Sequence, residues 1–270
     1  ADEHNLIVIS DTAQAPAAKE YNSYAGTDAH IGGFSFNYHK HIQTGEGGVL
    51  ITNDPIYAER MQLIRNHGEA VVEGKGVKDI SNMIGYNFRM GEIEAAIGIE
   101  QLKKLDDLIY NRVNIANKIT SELSKLVGIK TPKIRDGYTH SFYVYGIVYD
   151  QEATGVSRDV VFKALKAEGA PVVDCYANLH LYPMYQQKIA YGKKGFPWNS
   201  DIYKGNVSYK KGICPVAERL NDESFLKIPL CDYEFASDDV DGLIHAFKKV
   251  WSNLDVLKIK NIKSEKENWK

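Results

Sequence analysis

Two residues in the first part of the chain have the types and setting for covalent chemistry, Asp11 and Lys40. Lys40 lies within G-G-F-S-F-N-Y-H-K-H-I-Q-T-G-E-G-G-V-L, residues 32–50, after a short apolar strand and before a turn with Gly45, Gly47 and Gly48. A lysine amine held at a strand end and partly desolvated there is suited to Schiff-base formation. Glycines after it permit positive φ and close approach of the backbone to a ligand. Alone, the stretch reads more simply as a hairpin bearing a solvated lysine. Asp11 changes that balance. It closes the apolar run N-L-I-V-I-S, residues 5–10, which reads as a buried strand, and Thr12-Ala13-Gln14 follow it. A carboxylate at the carboxyl end of a strand sits where α/β sheets bind ligands. A lysine and an aspartate from successive strand ends fit pyridoxal phosphate. The lysine forms the imine, and the aspartate keeps the pyridine nitrogen protonated so that the ring draws electrons. Ser35, read as two residues into the lysine strand, offers its hydroxyl to the phosphate.

Four motifs in order, D-T-A-Q, F-S-F-N-Y-H-K-H-I-Q-T-G-E-G-G, R-N-H-G and G-Y-N-F-R-M, resemble the DegT/DnrJ/EryC1/StrS family of sugar aminotransferases. The resemblance runs from Leu6 to about Trp251. It implies a pyridoxal-phosphate enzyme of the aspartate-aminotransferase fold, working as a homodimer. It makes Lys40 the Schiff-base lysine and Asp11 the pyridinium partner, with Gln14 against the ring and Ser35 on the phosphate. Asn87, in G-Y-N-F-R-M, is implied to reach the phosphate of the neighbouring subunit's cofactor. Two departures stand out. Ser10 occupies a position where the family has Glu, and the long stretch that precedes the aspartate strand in family members has no counterpart here. The expectation is therefore a fragment, a processed chain or half of a split enzyme.

The 270 residues suffice for one large or two modest domains. The net charge of −2 gives no electrostatic case for nucleic acid or an anionic membrane. Cys175, Cys214 and Cys231 are sparse and odd in number, which fits a reducing cytoplasm better than a disulfide framework. No apolar run reaches the roughly 18–20 residues that span a bilayer. The 17 tyrosines suit interfaces and polar-lined pockets.

The expected elements that position the site are these. Residues 13–21 read as a short helix, and 49–52 as a return strand. Asp54 caps a helix with Pro55 at its first position, lined inside by Ala58, Met61 and Ile64 and ended by Gly68. A long helix spans about 92–126, breaking near Asp106-Asp107. Residues 141–149 form a strand, 160–167 lie in a helix capped by Ser157, 225–229 are extended, and Ser237 caps a last helix over 238–254. The fold class is α/β: the distal part of a fold-type I large domain with a mostly parallel sheet, residues 1–127, plus a small α+β domain, residues 128–270.

Other candidates carry less. His39 and His41, if extended, point together away from Lys40, and no cysteine or carboxylate at ligand spacing supports a metal site. His67 reads as a helix C-terminal residue before a catalytic one. His180 with its neighbouring tyrosines reads either as the lining of a sugar pocket or as a packed aromatic cluster. The glycines after Lys40 lack the G-x-x-x-x-G-K-[ST] phosphate loop. The expected function is amino transfer from an amino acid, L-glutamate by the resemblance, to a keto sugar. Such a sugar is nucleotide-linked or an eight-carbon keto-deoxy acid used in surface polysaccharide or lipopolysaccharide synthesis. The alternative is a catalytically incomplete half that binds or scaffolds a complementary chain.

Overall fold

The computed structural model of the chain describes residues 1–69, 76, 80–174 and 176–258. Cys175 and the charged tail after Lys258 lie outside them. The chain forms two compact units, each assembled from separated segments: 1–118, 133–144 and 230–234 in the first, and 119–132, 145–229 and 235–270 in the second. The division expected at residue 127 falls inside a segment of the second unit.

The first unit is built on a three-stranded sheet in the order β1-β4-β5, with β1 Ile9–Asp11, β4 Ile31–Ser35 and β5 Gly48–Ile51. β1 runs parallel to β4, and β5 returns antiparallel to it. Residues 13–21 do not form the expected helix. Ala17 and Tyr21 have φ of 59° and 50°, and Pro16 precedes them, so the chain makes turns instead. A small hairpin follows, β2 Lys19–Glu20 with β3 Ser23–Tyr24. Helix α1, Pro55–Arg65, starts as its sequence dictates: the Asp54 carboxylate accepts hydrogen bonds from the amides of Ile56 at 2.7 Å and Tyr57 at 3.3 Å. Leu63, fully buried, is its core residue rather than the expected Ala58, Met61 and Ile64 alone. The long helical pattern divides at Lys103-Lys104 into α2, Glu92–Leu102, and α3, Leu105–Leu123, close to the expected break.

The second unit contains the antiparallel sheet β6-β7-β8, with β6 Ile129–Lys130, β7 Tyr145–Tyr149 and β8 Phe225–Ile228. Alternation along β7 buries Tyr145, Ile147 and Tyr149 on one face. Helices α4 Gln151–Thr154, α5 Arg158–Ala167, α6 Pro183–Gln187, α7 Pro215–Arg219 and α8 Ser237–Ser252 complete it. α5 packs on α8, and Val161 and Leu165 of the first and Val240, Leu243 and Phe247 of the second are buried. Ala236, not Ser237, is the N-cap of α8, and its amide donates to Asp239 Oδ2 at 2.9 Å. The expected strand over 141–149 begins only at Tyr145. Residues 141–144 belong to the first unit, and that placement matters for the site.

Candidate active site

Parallel pairing sets Asp11 opposite Gly33, two residues before β4 ends at Ser35. Thr12 extends the pairing by donating its amide to the Gly33 carbonyl at 2.8 Å. Gly32 lets the loop that precedes β4 lie directly against the strand: a Cβ there would lie 2.3 Å from the Gly26 carbonyl oxygen. Asp11 Oδ1 accepts the amide of Ala13 at 3.1 Å, which fixes the orientation of an otherwise exposed carboxylate. Gln14 follows, also exposed.

Lys40 does not sit on a strand end as its sequence implied. β4 stops at Ser35, the last strand residue rather than an early one. A turn organised by Asn37 then carries the lysine. Asn37 donates its amide to Ser35 Oγ at 3.2 Å, accepts the amide of His39 on its side chain at 3.1 Å, and accepts the amide of Lys40 on its carbonyl at 2.9 Å. Its side-chain amide also reaches Glu46 at 2.8 Å. The loop closes at its base where Phe36 donates to the Gly47 carbonyl and Thr44 to the Phe36 carbonyl, both at 2.9 Å. Gly45, at φ 82°, supplies the left-handed residue this return needs.

The turn also separates the two flanking histidines, which the extended reading had pointing together. His39 is exposed, 3.7 Å from Asp232. His41 is 3% exposed, and its Nε2 lies 2.8 Å from the Ser141 carbonyl oxygen. Burial pushes its pKa down to about 4, so the ring is neutral at neutral pH. A neutral imidazole facing a carbonyl must donate from Nε2, and Nδ1 is left without a hydrogen-bond partner. Among the described residues no cluster of metal-ligating side chains occurs.

The segment on the far side of that bond is what sequence reasoning missed. Phe142 takes φ 51° and donates its amide to His140 Nδ1 at 2.8 Å, a local turn where a strand was expected. Ser141 then reaches two candidate elements. Its carbonyl holds His41, and its hydroxyl lies 3.4 Å from the Gln14 carbonyl oxygen. Tyr143 turns its ring toward Lys40, whose Nζ lies 4.5 Å from the ring centroid. The sequence carried little signal for this: S-F-Y-V-Y-G-I-V-Y is largely apolar and aromatic, and the alternation that starts at Tyr145 is one of burial.

Asn87 is placed by other anchors. It bridges Asn66 at the end of α1, and the flanking amides of Tyr86 and Phe88 donate to the carbonyls of Ile64 at 2.7 Å and Arg65 at 2.9 Å. Arg89 bonds the Asn66 side chain at 2.5 Å. The loop is exposed, with Ile84 72% and Phe88 65% accessible, and it leads into the N-terminus of α2. A cavity of about 460 Å³ lies elsewhere in this unit, bounded by the β2–β3 hairpin, α3 and residues 134–142; Asp11, Gln14, Ser35, Lys40 and Asn87 do not line it. In the second unit His180 is buried and pairs with Glu218 at 2.8 Å, while Tyr185, Trp198 and Tyr209 form an aromatic cluster. His180 is thus buried against a carboxylate within the second unit.

The DegT/DnrJ/EryC1/StrS aminotransferase family model matches residues 1–245. The chain belongs to this family. It is 28% identical over 265 residues to the spore coat polysaccharide biosynthesis protein SpsC of Bacillus subtilis, covering 94% of this chain and 62% of that protein. It is 33% identical over 215 residues to a GDP-perosamine synthase of Vibrio cholerae, covering 79% of this chain and 56% of the relative. Among solved structures, the aminotransferase from Psychrobacter cryohalolentis superposes with TM-score 0.74 at 25% identity, over 94% of this chain and 64% of that one. The chain thus spans about three fifths of the length of the relatives it matches. Its fold is that of the fold-type I pyridoxal-phosphate-dependent aminotransferases, and the family's cofactor is pyridoxal phosphate.

The donor set fits that cofactor. An amine on Lys40, a carboxylate on Asp11 fixed through one oxygen, and a hydroxyl on Ser35 are the three chemistries the group requires. Ser35 Oγ accepts from Asn37, so its own proton is directed elsewhere and can serve a phosphate oxygen.

Proposed function

We propose that the chain carries the lysine-bearing half of a sugar aminotransferase site, with Lys40 and Asp11 as its catalytic residues. The observation that carries the reading is the pairing of two strands, Asp11 beside Gly33 with Ser35 two residues further along the same strand, and a lysine turn that follows Ser35. Lys40, Asp11, Gln14 and Ser35 hold pyridoxal phosphate within one subunit, and Asn87 serves the partner subunit's site in a homodimer. The exposed, apolar-flanked loop of Asn87 supports that last assignment. When bound, pyridoxal phosphate supplies an electron sink that stabilises negative charge developing on the amino donor's α-carbon. Asp11 keeps a positive charge at the ring nitrogen, which a carboxylate favours and an amide does not. Lys40 Nζ would bind the group, and its free amine would take the proton from the donor's α-carbon and deliver it to the group's C4′.

The substrate class follows from relatives named for sugar nucleotides and polysaccharide, among them a UDP-linked altrosamine transaminase of Campylobacter jejuni. The amino donor is an amino acid, L-glutamate by the sequence resemblance. The acceptor is a keto sugar, nucleotide-linked or an eight-carbon keto-deoxy acid, destined for surface polysaccharide or lipopolysaccharide. The enzyme works in the cytoplasm. Among the described residues no helix is long and apolar enough to cross a membrane.

Absorbance of the chain with added pyridoxal phosphate tests the reading. A visible band that disappears in Lys40→Ala supports it. A chain that develops no band supports the other class, an incomplete half that scaffolds a complementary polypeptide. The exposure of Leu6, Ile7, Val8 and Ile9, 40–68%, along the edge at β1 favours that second class.

A further inference from the structure

We infer that Tyr143 is a positioning residue for Lys40, holding the free ammonium over its ring face whenever the amine is not engaged. The inference rests on the functional reading of Lys40 given above and adds a residue to it.

The geometry is specific. Lys40 Nζ stands 4.5 Å from the Tyr143 ring centroid, within the roughly 6 Å over which a cation is drawn to an aromatic face. Among the described residues Lys40 makes no ion pair with a carboxylate, although Asp232 lies close enough to pair with the neighbouring His39. The ring is therefore the ammonium's partner. Lys40 and Tyr143 are both half-buried, which lowers screening and strengthens the contact relative to a solvated one.

The ring is also placed with care. The neutral His41, next to Lys40, is bonded to the carbonyl of Ser141, two residues before Tyr143. His41 and Tyr143 rings lie 6.2 Å apart, tilted by 42°. One hydrogen bond thus fixes the lysine turn against the strip that carries the ring. A displaced lysine has four rotatable bonds and would otherwise sample water. Held over the ring, its nitrogen stays near the position from which it must act again.

Competitive acylation of the full chain without cofactor tests this. Limiting acetic anhydride labels Lys40 and the solvated Lys104 in one sample, and peptide mass mapping gives the ratio. The Tyr143→Phe variant keeps the ring face and should leave the ratio within about twofold of the parent. In Tyr143→pentafluorophenylalanine the shape is kept while the quadrupole is reversed. The released amine should there label about two- to fivefold more than in the parent, the factor expected for an exposed to half-buried cation–π contact. An unchanged ratio in the fluorinated variant overturns the inference, and because the ring shape persists, misfolding does not excuse the result. A second readout uses pyridoxal phosphate and borohydride, which fixes a pyridoxyl label on the lysine that binds it. Label on Lys40 that falls in the fluorinated variant and stays in Tyr143→Phe supports a positioning role. Parent chain that acylates as expected but takes no pyridoxyl label on Lys40 shows instead that the functional reading has failed, and it overturns the catalytic meaning of the contact.

Discussion

His41 makes the lysine turn acid-sensitive, and the size of the effect follows from its burial. The ring is 3% exposed, and burial lowers its pKa from 6.5 to about 4. Between those values the folded chain holds fewer protons at His41 than the unfolded chain does. Stability is therefore intact above pH 6.5, falls as pH drops through that window, and loses no more from this group below about pH 4. A shift of that size corresponds to about 3 kcal/mol in full, of which about 2 kcal/mol is lost by pH 5. His41→Gln is the informative change. Its side-chain amide can still donate to the Ser141 carbonyl, but it does not titrate across this range. Urea unfolding of parent and variant at pH 8 and pH 5, with the difference taken between the two proteins, cancels the groups they share. The parent should lose about 2 kcal/mol more than His41→Gln over that interval. Equal losses would refute the argument, since they would mean that His41 protonates as easily in the folded chain as in the unfolded one.

In the assembled enzyme, Asn87→Ala should weaken cofactor affinity by about 1–3 kcal/mol with little change in melting temperature, measured by equilibrium titration of the cofactor. A dimer pairing a Lys40→Ala subunit with an Asn87→Ala subunit should retain near half the parent activity. Damage at every site would show that both residues serve the same subunit's pocket. The 270-residue chain alone should associate, because Leu6 to Ile9, Ile84, Phe88, Ile93 and Leu102 expose apolar surface in one unit. Light scattering at micromolar concentration checks this, and a monodisperse monomer would contradict it.

Elements with a local chemical cause were legible in the sequence. Asp54-Pro55 set the start of α1, Ser157 precedes α5, and the apolar repeat of residues 92–126 gave two helices split within a few residues of the expected point. The Asp11 and Lys40 neighbourhoods were recognisable because each follows an apolar strand. What sequence could not show was tertiary. The turn of residues 37–41 depends on four bonds converging on Asn37, a residue type that is ordinary in any loop. His41 looked like the twin of His39, yet one is buried and one is in water, because the turn rotates them apart. Residues 141–144 carry β-forming types, yet Phe142 takes a positive φ in a local turn closed on His140, beside the long-range bond from His41 to Ser141. The helix expected over 13–21 failed for the reverse reason. Its alanines favour helix, but Pro16 and the hairpin pairing that follows override a weak preference.

The two units differ in how they are held, and that difference bears on where the chemistry sits. In the second unit the sheet and α8 bury Tyr145, Ile147, Leu226, Ile228 and Phe247 almost completely. In the first unit the fully buried apolar side chains are few, Leu63 and Ala116 among them, while strands and helices present apolar residues to solvent. Every candidate site residue lies in this thinner unit. Its precision near Lys40 therefore comes less from packing than from directed bonds: Asp11 to Ala13, Asn37 to Ser35 and Lys40, His41 to Ser141, and Ser141 to Gln14. Such bonds fix angles as well as distances, which is what the base proposed at Lys40 requires. Each is individually modest, about 0.5–1.5 kcal/mol net. A site built this way gains rigidity when its uncovered apolar faces are buried by further polypeptide. The association expected of the first unit and the order of its proposed site would then be two consequences of the same sparse core.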